Sequence, residues 1–405
     1  MPRLSKILLV IAAVPLVLLA GWQRVVEPAL VKIPGNVNRT NNYSGNVTVF
    51  VDQQSTIDLP APQVSPMSIL RTAKSVPGET GSTTTALNET DHISLLGQNA
   101  EQSYVFVLDR SSARNVFNEE STAYGNNVNR HGSYYPNLPF GVDSSRRYQI
   151  WNNEAGTPYV VQRDAGSTTA TINGVKVLRM QGTLPMTPVA AYYTNELTKL
   201  GLPSSLTPAQ LQAQFAASGV DATATLAALG QVLSQSEMLT VIGTLGNNLP
   251  LQYYTALTAE ARVEPTTGIV VWTHSNKRFY VGPDPAALAP VKKILDSHSS
   301  DTTVKAVDDY LTTLSKPRAA FTLDYTTNAA SADSMASYAK SQRTKLRLAQ
   351  IYAPAALLLF FVALCFGAWA AWRRHQEPTA TPPAAPDLVD VRERLAPHER
   401  EPAGV

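Results

Sequence analysis

Residues 168–180 read Thr-Thr-Ala-Thr-Ile-Asn-Gly-Val-Lys-Val-Leu-Arg-Met. Two runs rich in β-branched residues flank Asn173-Gly174, the dipeptide that best supplies the two positive-φ positions of a type I′ turn. The stretch therefore predicts a tight β-hairpin. Ala259–Val263 and Ile269–Thr273 repeat the design around Glu264-Pro265-Thr266-Thr267-Gly268, with Pro and Gly at turn positions. Val47–Val51, Tyr104–Leu108 and Phe321–Thr326 add further runs of strand length and composition. Helical signals interrupt the strands. Thr207 is a helix cap with Pro208 at the first position and Ser218-Gly219 at the end. A helical pattern runs from Asp221 to about Thr244, another from Asp301 to near Leu314, and a last one from about Ser331. No fixed-period repeat is visible. The expected fold class is α+β: a large antiparallel sheet or barrel-like body with a helical segment at 190–247.

Both ends of the chain carry apolar runs. Arg3 and Lys6 precede an uncharged stretch from Ile7 to Trp22, and no small-x-small pattern follows it, so it reads as an uncleaved signal anchor. Ile351–Trp372 carries no charge over 22 residues and is followed at once by Arg373 and Arg374, which predicts a transmembrane helix. Trp22, Trp369 and Trp372, three of the five tryptophans, sit at the ends of these runs, where indoles favour the headgroup level. The implied organisation is a short cytoplasmic N-terminus (1–6), a signal anchor (7–22), an extracytoplasmic domain (23–350) and a transmembrane helix (351–372). A Pro- and Ala-rich tail (373–405) follows, expected to be disordered and cytoplasmic. The expectation is a two-pass plasma-membrane protein with both termini inside.

Charged residues make up 16% of the chain, well under the ~25% of ordinary soluble domains. Between Gln23 and Gln350 there are 26 Lys and Arg against 25 Asp and Glu, a net charge of +1. A near-neutral domain lacks the concentrated basic face that nucleic acid requires. The single cysteine, Cys365, lies inside the second apolar run, so the exported domain has no disulfide and must be stable through burial.

Catalytic motifs are missing. His92, His131, His274 and His298 have no i, i+4 partner, and no zinc-type H-E-x-x-H occurs. No nucleophile elbow, Walker loop or G-x-G-x-x-G is present. Glu119-Glu120 and Asp308-Asp309 are sequence neighbours and read as solvated surface. No catalytic residue, metal site or cofactor is assigned. Tyr134-Tyr135-Pro136-Asn137-Leu138-Pro139-Phe140-Gly141, followed by Tyr148 and Trp151-Asn152, reads as a rigid turn packed into the core.

Asp109-Arg110-Ser111, Pro139-Phe140-Gly141, Tyr148-x-x-Trp151-Asn152 and Glu264–Val270, framed by a helix at each end, resemble an actinobacterial family labelled "porin PorA". That family implies no active site. A lipid-spanning barrel carries an outward apolar band and needs no helical anchor, so pore formation ranks below other roles. The layout also looks like that of class B scavenger receptors, whose β domain encloses an apolar tunnel capped by helices, an analogy of architecture alone.

Only Glu196, Lys199, Asp221 and Glu237 are charged between Ala190 and Asn247. Leu226, Leu229, Val232, Leu233, Leu239, Val241, Ile242 and Leu245 form an apolar stripe there, which must be buried against the body, a ligand or the bilayer. These eight are the candidate ligand-binding residues. The leading expectation is a membrane-anchored protein that binds or transfers a lipid or other apolar envelope molecule. A structural scaffold recruiting protein partners through its tail comes second, and an enzyme acting on glycolipid third.

Overall fold

The structure, a computed structural model, describes residues 31–52, 58–166, 169–199 and 201–376. The segments expected at 1–6 and 7–22, and the tail from 377 onward, lie outside the described residues.

The chain first lays down a meander: β1 (Asn38–Val51), β2 (Asp58–Ser75), β3 (Thr84–Leu95) and β4 (Gln98–Asp109), each antiparallel to the last. Two-residue strands β5 (Thr122–Ala123) and β6 (Asn126–Asn127) finish that edge. Three hairpins follow. β7 (Arg147–Asn152) pairs with β8 (Thr157–Arg163), β9 (Ala170–Ile172) with β10 (Val175–Pro188), and β12 (Leu249–Val263) with β13 (Val270–Pro283). A short β11 (Ser205–Leu206) leans on β12. The last strand, β14 (Arg318–Thr327), inserts beside the first, with Tyr43 opposite Thr327 and Val49 opposite Phe321. One 14-stranded sheet results, in the order β6-β5-β4-β3-β2-β1-β14-β13-β12-β10-β8-β7.

The hairpin that opens the sequence reading forms as expected, with Asn173 at φ 45° and Gly174 at φ 73° in the turn. The two outer parts of the sheet are joined by single bridges rather than by a full ladder. Leu108 of β4 pairs with Asn115, Arg114 with Tyr134, and Tyr134 with Ile150 of β7. The sheet thus curls into a barrel-like body whose seam is irregular chain.

Eight helices are found among the described residues. Four occupy the low-charge insert: α1 (Ala191–Lys199), α2 (Pro208–Ala217), α3 (Ala222–Leu229) and α4 (Gln235–Leu245). Thr207 and Gln210 cap α2 reciprocally, as do Ser234 and Glu237 for α4. The expected helix from Asp221 to Thr244 is two helices. Ser234 competes as a second N-cap, and the chain turns at Gly230 to reach it. α5 (Pro285–Ser297) and α6 (Thr302–Leu314) join this group, and α7 (Ala329–Arg347) follows β14. One core lies between the helices and the sheet, built on Leu197, Leu206, Leu249, Phe279, Leu288, Leu295 and Leu311. Another lies within the curl, around Phe106, Leu108, Met180 and Val263.

Two compact units divide the chain, the larger spanning Val25–Gln350. The described part of the other contains α8 (Ala353–Gln376), which α7 reaches through a π-helical turn, Leu348–Tyr352. Within α8, Leu358, Leu359, Phe360, Val362, Leu364, Phe366 and Trp369 are exposed all round the helix. Pro354, Leu357 and Ala371 are among the side chains in this stretch that lie outside the described ones. Counting described residues alone, no helix is long and apolar enough to cross a membrane.

Candidate functional site

Strand geometry turns every second side chain of the curled sheet inward. Between these inward faces lies a cavity of about 350 Å³, within the range of small-molecule sites. One part of its wall is apolar: Val47 and Val49 from β1, Ile69 from β2, Leu257 from β12, Phe321 and Leu323 from β14. The opposite faces of the same strands are polar. Outward positions of β1 carry Asn42, Ser44, Asn46 and Thr48, those of β3 Thr90, His92 and Ser94, and those of β14 Thr322, Asp324 and Thr326.

Charged side chains also stand on the wall, among further apolar and aromatic ones, which is costly unless each charge finds a partner. Sheet register supplies the partners. Arg71 of β2 stands directly opposite Asp91 of β3. Its Nε donates to Asp91 Oδ1 at 2.8 Å and its Nη2 to Oδ2 at 2.7 Å, a bidentate fork. Glu89, two residues back on the same face of β3, lies 3.3 Å from Arg71 Nε and accepts the Tyr135 hydroxyl at 2.8 Å. Burial pushes the Glu89 carboxyl up to about 7; Arg71 opposes the rise, the Asp91 charge adds to it, and the Tyr135 hydroxyl and Arg130 also oppose it. Burial likewise works against the Arg71 charge, but Asp91 and Glu89 outweigh it and raise its proton affinity.

A second ion pair joins Lys277 of β13 to Glu154 in the β7–β8 turn. Burial disfavours the Lys277 charge, yet Glu154 and then Tyr325 hold its pKa above the ordinary lysine value. Tyrosines surround these pairs. Burial alone would hold their hydroxyls neutral: Tyr43, beneath Arg71, is pushed up to about 12. Tyr104 donates to Gln102 at 3.0 Å and shares a 2.5 Å contact with Tyr124. Tyr135 and Pro136 belong to the aromatic turn expected to pack in the core. Tyr134 and Leu138 are indeed buried there, while Tyr135 also reaches the cavity wall.

The eight candidate ligand-binding residues lie elsewhere. None of Leu226, Leu229, Val232, Leu233, Leu239, Val241, Ile242 or Leu245 lines the cavity. Leu229, Leu233 and Val241 are buried in the helical core, and Leu226, Val232 and Leu245 pack partly against it. Leu239 and Ile242 are exposed, at 65% and 49%, and do not pack against the body. Splitting the segment at Gly230–Ser234 rotates α4 so that Val241, rather than Leu239 or Ile242, faces inward.

Sequence reasoning missed the charged wall. A signal did exist: Glu89 and Asp91 alternate with the face defined by Leu87 and Ile93, so two carboxylates share a strand's apolar side. The histidines of the large domain are dispersed. His92 lies 3.4 Å from Glu101, His274 2.8 Å from Asp324 and His298 3.0 Å from Glu237, none of them on the cavity wall. Among the described residues no group of His, Cys, Asp and Glu is arranged to hold a metal ion.

A family model described as "Porin PorA" matches residues 4–369. No curated protein matches. Among solved structures, a conserved protein of unknown function with a hot dog fold from Alicyclobacillus acidocaldarius aligns at 11% identity. It covers 74% of this chain and 83% of its own, with a TM-score of 0.10, a likeness too weak to bear on the fold.

Proposed function

This chain belongs to the Porin PorA family, and we propose that it is a membrane-tethered carrier whose β domain holds a single amphipathic lipid-like molecule. The observation that carries this reading is the cavity inside the curled sheet, whose wall carries both apolar side chains and charged ones. An acyl chain gains by leaving water for the apolar side chains, while a polar head can keep its hydrogen bonds at charged and polar ones. The polar outward faces of β1, β3 and β14 favour this over pore formation, because lipid-facing strands carry an apolar band there.

Tethering rests on α8 and the sequence around it. The 22 uncharged residues Ile351–Trp372 and the apolar side chains exposed round α8 suit the bilayer interior. With a second span at Ile7–Trp22, both termini would be cytoplasmic. A cysteine at exposed Ser82, in a chain whose only cysteine is Cys365, should react with an impermeant reagent in intact cells, and one at Thr379 should not. Labelling at Thr379 alone would invert the topology.

The carrier reading is tested on the full chain extracted in a neutral detergent. Mass spectrometry should find co-purifying lipid at about one molecule per chain. Ala259→Phe and Ala100→Phe, each placing a ring in the cavity, should lower that occupancy while circular dichroism stays unchanged. Lipid-free wild-type protein that also binds no added fluorescent fatty acid would refute the carrier.

A further inference from the structure

Of the charged groups on the cavity wall, one cation is left over. Arg71 is matched by Asp91, Lys277 by Glu154, and Glu260 by Arg179 at 2.8 Å. Glu89 shares Arg71 and takes the Tyr135 hydroxyl. Arg39 on β1 has no carboxylate within ion-pair distance among the described residues. Its guanidinium lies 3.5 Å from the ring centroid of Tyr338 on α7, and its Nε is buried without a hydrogen-bond partner. Burial lowers its proton affinity, and Tyr338 only partly offsets this. A guanidinium stays protonated at any physiological pH, so its charge calls for an anion.

The surroundings leave room for one. Arg39 faces Ala73 across the β1–β2 ladder, and Ala73 faces Glu89 across the next. Glu89 is thus two strands away, about 9–10 Å between backbones, and its carboxyl is engaged by Arg71 and the Tyr135 hydroxyl instead. β14 ends at Thr327, opposite Tyr43, so Met335 of α7 closes the wall there instead, with Tyr338 stacked against Arg39. Asn41 lies two residues on, on the same inward face, and its buried Oδ1 also has no partner. Its amide can donate to an anion through its NH₂ or accept from a hydroxyl beside it. From Arg39 to Val49, among the apolar lining, β1 extends about 33 Å at ~3.3 Å per residue, a span that suits a long acyl chain.

We propose that the cavity selects an amphiphile with an anionic oxoacid head group, carboxylate or phosphate, which pairs with Arg39 and hydrogen-bonds Asn41 beside α7. This rests on the carrier reading and specifies its ligand. The test uses the delipidated full chain in neutral detergent, with binding of oleate, oleyl phosphate, oleyl alcohol and inorganic phosphate measured by calorimetry. Wild type should bind oleate and oleyl phosphate at least tenfold tighter than oleyl alcohol. Arg39→Gln should erase that preference and leave alcohol binding unchanged, while Arg39→Lys should keep part of it. Equal binding of oleate and oleyl alcohol by wild type overturns the head-group assignment but leaves the carrier standing, whereas binding of neither defeats both. Inorganic phosphate binding as tightly as oleyl phosphate would make this a free-anion site and overturn the amphiphile. Should Arg39→Gln unfold, the wild-type preference and its retention in Arg39→Lys decide the matter.

Discussion

Glu89→Gln replaces a carboxyl that is 1% exposed with a neutral group of the same shape. Gln can still accept the Tyr135 hydroxyl, so the hydrogen bond to the wall survives. What disappears is titration. The folded chain raises the Glu89 pKa from 4.5 to about 7, chiefly through burial. Between those values the native state binds more protons than the unfolded one, so stability is greatest below pH 4.5 and falls as pH rises through 7. At about 1.36 kcal/mol per pH unit, the full loss is at most ~3 kcal/mol. For a domain of this size that corresponds to about 4 °C in melting temperature. Carboxyls held low, such as Glu237, pulled to about 2 by Ser234 hydrogen bonds and His298, act below pH 4.5 and leave this window untouched. Thermal melts of wild type and Glu89→Gln at pH 5 and pH 8 provide the assay, and their double difference cancels every other titrating group. The two proteins should melt together at pH 5, and the variant should melt several degrees higher at pH 8. Parallel shifts in both proteins would show that Glu89 is ionised throughout and that the wall carries an unneutralised carboxylate.

Two further changes test the packing. Gly45→Ala should cost ~3 kcal/mol or more, read as a fall in melting temperature, because its Cβ would meet the Asp324 carbonyl oxygen and lie 2.6 Å from Tyr325 Cα across the β1–β14 ladder. In the same melts Val241→Ala should cost about 1–3 kcal/mol, whereas Leu239→Ala and Ile242→Ala should each change stability by less than ~0.5 kcal/mol, reflecting burial of the first and exposure of the others.

Much of the secondary structure was legible locally. Asn173-Gly174 and Glu264–Gly268 marked hairpins because positive φ and proline constraints act within a few residues. Thr207-Pro208 and Asp301 marked helix starts because capping satisfies amides of the next turn. β2 was harder to see, since its charged and small residues, from Asp58 to Ser75, lack a clean apolar alternation. Glu89 and Asp91 look like surface carboxylates until Arg71 is placed opposite them, and that placement depends on pairing residues about twenty apart.

The amino-acid sequence by itself determined what short-range chemistry controls: turns, caps, strand-length β-branched runs, the uncharged 351–372 segment and the near-neutral middle. Tertiary structure alone decided which faces turn inward. Inserting β14 beside β1 joins residues almost 300 positions apart, and only that closure gathers Arg39, Arg71 and Lys277 around one cavity. Burial is a property of the assembled sheet. Leu239, apolar by sequence, therefore lies exposed on α4, and Arg39, charged by sequence, ends on a cavity wall beside Tyr338.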